Sequence, residues 1–266
     1  MTQHPSPPSP RSRRGLTWWL SLTPALYLTL PLALLHSALP SAFEAMRDPR
    51  CLSALWVSLS ASALASLLMV TLLTPLAWQL SGGALARPSR ALRRLEALCL
   101  APLALPPTVS GLALLLTFGR ASLGDWSWSM SWAAVVGAQL FVAGPLYLRG
   151  ASLAFNQLPR SLREVSLTLG ATPRELFWRV ALPLCAPALK SAALLAWLRA
   201  IGEFGATLLF AGNLQGESQT LPLAIYSLFE LKVELAMGMA LWLLWGAGLL
   251  SVALLSQAEV SDHIKP

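Results

Sequence analysis

The sequence predicts an all-α integral membrane protein, and three observations carry that prediction. Hydrophobic residues make up 55% of the 266 and charged residues only 12%, with a mean hydropathy of +0.60. Soluble domains carry about twice that share of charge. Apolar runs nearly free of charge recur along the chain, at the length of roughly 18 residues or more that a membrane helix needs. The polar stretches between them are too short to fold as domains of their own.

The apolar segments fall at roughly 16–36, 51–80, 95–118, 131–149, 184–210 and 236–256, which predicts a six-helix transmembrane bundle over 16–256. Residues 1–15 are rich in Pro and Ser and then basic, and are expected to be a disordered cytoplasmic extension. The run that follows is longer than a signal-peptide core and has no clear cleavage site, so it is expected as an uncleaved first span. The second segment is overlong, which predicts tilt or extension beyond the bilayer. The third contains Pro102, Pro106 and Pro107, each of which removes an amide donor. Such a break is tolerated where backbone is packed in protein or faces a water-filled path, so either a plain kink or a pore element fits. Residues 257–266 are expected as a cytoplasmic tail.

The net charge of +7 and pI near 10.0 are read as topology signals rather than as a nucleic-acid footprint. Arg11, Arg13 and Arg14, then Arg87, Arg90, Arg93 and Arg94, then Arg149, Arg160, Arg163, Arg174 and Arg179 all fall on one side of the six segments. That side is expected to be cytoplasmic, with both termini on it. Trp18, Trp19, Trp126, Trp128 and Trp132 lie near span ends, as an aromatic belt against membrane lipid would. Cys51, Cys99 and Cys185 have no metal or redox spacing and read as small core residues. No metal site is expected.

The most polar interruption is EVSLTLGATPRELFWRVALP, residues 164–183. Leu158, Leu162, Val165 and Leu169 recur at helical spacing, with Pro159 suited to a first turn. Gly170 stands where that helix should stop in a left-handed residue. Thr172, Pro173 and Glu175 then spell a new helix start, and Leu176, Phe177 and Val180 make a second apolar face before Pro183 ends the unit. A helix–Gly–helix elbow with an apolar face outside the membrane predicts a partner surface, against the alternative of a surface helix packed on its own bundle.

The spacing Glu164, Gly170, Val180, Leu182, Pro183 resembles the EAA loop of ABC importer permeases, E-A-A-x3-G-x9-I-x-L-P. Val165 and Ser166 stand where the family has paired alanines, and Ala171 follows the Gly. In that family the loop is the coupling helix of a type I importer bundle, docked into a cytoplasmic ATPase. The resemblance therefore implies a coupling role for residues 158–185.

Two further stretches carry chemistry. In RAIGEFGATLLFAGN (199–213), Arg199 and Glu203 are four apart in an apolar run and can pair on one helix face. They are read either as a functional pair at membrane depth or as an ion pair that only fixes packing. Gly202, Gly205 and Ala206 permit close helix approach. Together with LPPTVSGLALLLTFGR and QTLPLAIY, this stretch resembles the molybdate permeases of the ABC importers, near the sulfate and tungstate permeases. The resemblance covers roughly residues 50–255. It implies a homodimeric permease with a separate ATPase and an extracytoplasmic oxyanion-binding protein, in the inner membrane. It also implies that the region around Glu203 and the outer QTLPLAIY segment lie near the gate. The pore or gate candidates are Pro106, Pro107, Arg199, Glu203, Phe204 and Gly205.

No G-x-x-x-x-G-K-[ST] cradle is present, so ATP and Mg are expected on the partner ATPase and no cofactor on this chain. LSGG at 80–83 mimics an ATPase signature without a nucleotide domain around it. No catalytic constellation is visible, and the chain is expected to be a transport subunit rather than an enzyme. An ion-coupled secondary transporter is the alternative, which would need several deep ionisable residues and often shows internal repeats.

Overall fold

The computed structural model describes residues 36–84 and 88–262, with 29, 31 and 33, and its described elements are all helical. The expected extension at 1–15, most of the first span at 16–36 and the end of the tail lie outside the described residues.

Helix α1 covers residues 36–47, and Asp48 starts α2, Pro49–Leu80, by accepting from the Arg50 amide at 2.8 Å, with Pro49 in the first turn. At about 1.5 Å per residue α2 runs near 48 Å, longer than a bilayer core, as the overlong segment predicts. It survives Pro75 through a π-helical stretch at Met69–Leu73, where the ladder re-registers around the missing amide. Arg90–Ala104 forms α3 and Pro107–Phe118 α4, bent by 117° at the intervening break. Trp132–Asn156 is α5, started by Ser131 accepting from the Ala134 amide at 3.2 Å. The elbow follows as α6, Arg160–Thr168, and then α7, Pro173–Ile201. Two short helices follow, α8 (Gly205–Phe210) and α9 (Leu221–Phe229), and the last described helix is the 30-residue α10 (Val233–Asp262).

Among the described residues α2, α5 and α7 are long and apolar enough to cross a membrane, and the bent pair α3–α4 passes the same test jointly. The apolar part of α10 is Val233–Leu249. Two expected boundaries change. Pro183 does not end the elbow, because a second π-helical stretch, Leu176–Ala181, carries the helix through it into α7. The expected segment 184–210 is not one span but stops at Ile201 and restarts at Gly205.

Small residues let these helices approach. A Cβ on Gly150 of α5 would lie 2.8 Å from the Ala192 Cβ of α7, and Ala61, Ala65, Ala143, Ala151 and Ala196 are buried in the shared core. Helix α2 is tied on three sides by its serines. Ser60 Oγ accepts from the Trp132 indole (3.1 Å), Ser62 Oγ from the Trp197 indole (2.8 Å) and Ser58 Oγ from the Leu221 amide (2.7 Å). Polar contacts of this kind substitute for the hydrophobic driving force that lipid removes.

Trp126 is 84% exposed and Arg174 is exposed, at opposite predicted sides of the membrane. In a background lacking Cys51, Cys99 and Cys185, a cysteine replacing Trp126 is expected to react with an impermeant thiol reagent in intact cells, while one replacing Arg174 reacts only after permeabilisation. The reverse pattern would invert the topology.

Candidate functional site

The elbow is built by local chain chemistry. Pro159 holds the extended conformation (φ −58°, ψ 137°) that precedes α6. At its end, the Gly170 amide donates to Leu167 O (3.0 Å) and the Ala171 amide to Ser166 O (3.1 Å), with Gly170 at φ +92°. That is the two-bond Schellman closure, and a residue with a side chain is strained at such a φ. Two residues on, Thr172 Oγ1 accepts from the Glu175 amide (3.2 Å) and the Glu175 carboxylate accepts from the Thr172 amide (3.0 Å). The box starts α7. The Thr172 amide, and then its hydroxyl, hold the Glu175 carboxyl below the usual carboxylate range.

The corner is fastened to the bundle by Arg163, which is only 7% exposed. Its guanidinium donates to Phe155 O (2.6 Å), near the end of α5, and to Gly83 O (2.9 Å) and Ser81 O (3.4 Å), just past the end of α2. Two helix C-termini, each the negative end of a dipole, therefore share one cation. The guanidinium also lies 4.9 Å from the Trp78 ring, whose neighbours are Phe155 (5.3 Å) and Phe177 (5.8 Å). Burial pushes the Arg163 pKa down, and these carbonyls hold the charge in place. The LSGG stretch has its explanation here. Gly82 (φ +94°) and Gly83 close α2 by donating to Gln79 O and Trp78 O, and so present carbonyls to Arg163.

Of the predicted coupling residues, Glu164, Val165 and Pro183 are exposed and Ser166, Ala171, Val180 and Leu182 half-buried. The expected single apolar face of α6 divides. Leu158 and Leu162 pack on the core, while Val165 and Leu169 (82% exposed) face outward, with Trp178 exposed nearby in sequence on α7. The second expected face is not a partner surface, because Leu176 and Phe177 are buried against the bundle's own aromatic cluster. Arg163, read from the sequence only as one of the basic residues on the cytoplasmic side, is the buried anchor.

The three predicted pore stretches converge. Pro106 and Pro107 lie at the 117° break between α3 and α4 rather than in the interior of either helix. Pro107 is the first residue of α4, where its missing amide would have no helical partner anyway. Helix α8 lies across α4 so closely that a Cβ on Gly111 would be 2.7 Å from Ala206 Cα, and one on Gly205 3.2 Å from Pro107 Cβ. Glu203 is 1% exposed; its Oε1 accepts from the Ala206 amide (2.9 Å) and its Oε2 lies 2.6 Å from Arg199 Nη1. Its carboxylate thus joins the last turn of α7 to the start of α8. Phe204 packs edge-on against Tyr226 of the QTLPLAIY stretch, 5.4 Å between centroids.

Other polar residues escaped the sequence reading. Asn213 links Ser227 and Gln219 at 2.8 and 2.9 Å. Gln139 is fully buried in α5 with neither amide atom hydrogen-bonded, and a lone Gln in an apolar span was a readable sign. Among the described residues no group of His, Cys, Asp and Glu could hold a metal ion.

Residues 75–258 match the family described as binding-protein-dependent transport system inner membrane component. The chain is 40% identical over 194 residues to the molybdenum transport system permease protein ModB of Mycobacterium tuberculosis, spanning 70% of this chain and 72% of that one. It is 31% identical over 222 residues to the ModB protein of Azotobacter vinelandii, spanning 80% and 95%. Its fold is similar to that of a chain from the MetNI methionine ABC transporter in inward-facing conformations, with a TM-score of 0.64, 18% identity, and 80% and 95% of the two chains covered.

If Arg199 and Glu203 compensate each other, Glu203→Gln leaves a cation only about a third exposed (36%) without its counter-charge. A loss of roughly 1–3 kcal/mol is expected, recovered in part by the double change Arg199→Gln with Glu203→Gln. Thermal unfolding of the three variants reads the coupling, and strictly additive losses would show that the two side chains act independently.

Proposed function

Because this chain belongs to the binding-protein-dependent transport system inner membrane component family, we propose that it is the membrane permease subunit of an ATP-driven importer of a tetrahedral oxyanion, molybdate. The substrate reading is supported by ModB relatives at 40% identity over most of both chains. A separate ATPase docks on the outward side of the elbow, at Glu164, Val165 and Leu169. An extracytoplasmic binding protein delivers the anion, and two copies of the chain enclose the path. Both termini are cytoplasmic, and ATP and Mg belong to the partner.

One observation carries the coupling role. A helix–corner–helix unit leaves apolar side chains outward on one side, while its other side is tied by Arg163 to the ends of two membrane-length helices. Motion imposed on the exposed side therefore passes to α2 and α5 without a slack connection. Closure of the ATPase pair would draw the elbows together and rock the bundles between inward and outward openings, and hydrolysis would reset them. Glu203 would repel a dianion if bare. Its pairing with Arg199 and the Ala206 amide makes it a brace of the α7–α8 break, where a gate can flex.

Gly170→Val tests the reading. Open space surrounds the position, so the strain comes from φ alone, at a cost of roughly 1–3 kcal/mol in the corner. The variant is expected in the membrane at near-normal abundance, yet to lose ATPase co-purification and ATP-driven molybdate uptake. Normal uptake with intact ATPase binding would leave the elbow as ordinary surface. Competition by tungstate and sulfate in the wild-type assay ranks the three anions.

A further inference from the structure

A cavity of about 690 Å³ opens behind the elbow, between the end of α2, the middle of α3, the end of α5 and α6. Its charged lining is Arg93, Arg149, Arg160 and Arg163 against Glu96 and Glu164. Four cations face two anions, so the lining carries an excess of two positive charges. Glu96 is engaged by Arg149 at 3.6 Å. Arg163 spends its two terminal nitrogens on backbone carbonyls, and its Nε is buried without an acceptor. The Arg93 and Arg160 guanidinium groups make no hydrogen bond or ion pair among the described residues. Arg160 and Arg163 stand three apart on α6 and both line the cavity, so like charges share one concave wall.

Planar guanidinium forks on separate helices that line one cavity suit the oxygens of a tetrahedral oxyanion, and an excess of two charges matches a dianion. The position agrees with that chemistry. The cavity lies beside the ends of α2 and α5, helices long enough to cross a membrane, with its arginines on α3, α5 and α6, a place where a cationic pocket suits an anionic headgroup.

We propose that this cavity binds a phosphate group, supplied by an anionic lipid headgroup or by free phosphate, with Arg93 and Arg160 as its principal donors. The site lies apart from the α4–α8 region of the transport path and needs no partner chain. An occupant would bridge α3 to α6 and stiffen the elbow next to Glu164.

The test uses the full chain alone in nanodiscs, with thermal unfolding followed by tryptophan fluorescence. In zwitterionic lipid, inorganic phosphate is titrated against chloride at matched ionic strength. A parallel arm replaces part of the lipid with phosphatidylglycerol. The comparison protein is Arg93→Gln with Arg160→Gln, checked by size-exclusion elution; the single variant Arg93→Gln replaces it if the double variant does not elute as wild type. A saturable rise in the wild-type midpoint with phosphate, weakened about tenfold or more in the variant, supports free phosphate as the ligand. A higher wild-type midpoint in phosphatidylglycerol that phosphate cannot raise further, and that the variant lacks, supports the headgroup. Equal responses of wild type and variant in both arms, or chloride acting as well as phosphate, would overturn the site. Neither arm involves transport, so the result stands apart from that of the Gly170→Val uptake assay.

Discussion

A single buried guanidinium holds the architecture of the elbow. Arg163 takes carbonyls from the ends of α2 and α5 and stacks by the Trp78 ring. Helix C-termini carry partial negative charge and unmade acceptors, so a cation placed between two of them satisfies both at once. Burying an arginine is costly unless its donors are met. Here two of its nitrogens are met by backbone, which fixes geometry more tightly than a flexible carboxylate would. The aromatic cluster of Trp78, Phe155 and Phe177 then excludes water from the joint.

From that joint outward, the elbow has two unlike sides. Leu176 and Phe177 belong to the bundle, while Leu169 and Val165 remain outward with Glu164. Such a division suits a transmitter: one side rigidly fixed, the other available. At the far end of α7 the same logic recurs on a smaller scale. Glu203 bonds Arg199 behind it and the Ala206 amide ahead of it, which keeps the Gly202–Phe204 break defined rather than loose. Close contact of Gly111 and Gly205 with their neighbours leaves little room for a side chain there, so α4 and α8 are expected to move together.

Much of this was legible in the sequence because it was local. The cap at Thr172, the corner at Gly170, the Arg199–Glu203 pair and the break around Pro106 each involve residues within a few positions of one another. What was not legible depends on contacts distant in sequence. Arg163 looks like any other arginine in a basic row, and its carbonyl partner Gly83 lies 80 positions away. LSGG resembled a nucleotide signature because glycine pairs serve helix closure as readily as phosphate binding. The helix break expected at Pro183 was absorbed by a π-helical stretch, which composition does not announce. Helicity at 205–210 was read as continuous with α7, since nothing in an apolar run marks a three-residue gap.

Hydrogen–deuterium exchange on the full chain in nanodiscs, comparing wild type with Arg163→Gln, tests the anchor most directly. The account predicts faster exchange in two segments together, 81–84 and 160–170, while the centre of α5 around 138–148 keeps its protection. The coincidence matters, because among the described residues the side-chain hydrogen bonds between these two segments come from this guanidinium. Unchanged exchange in both segments, or loosening of 160–170 with 81–84 unaffected, would contradict the claim that Arg163 ties the elbow to the membrane helices.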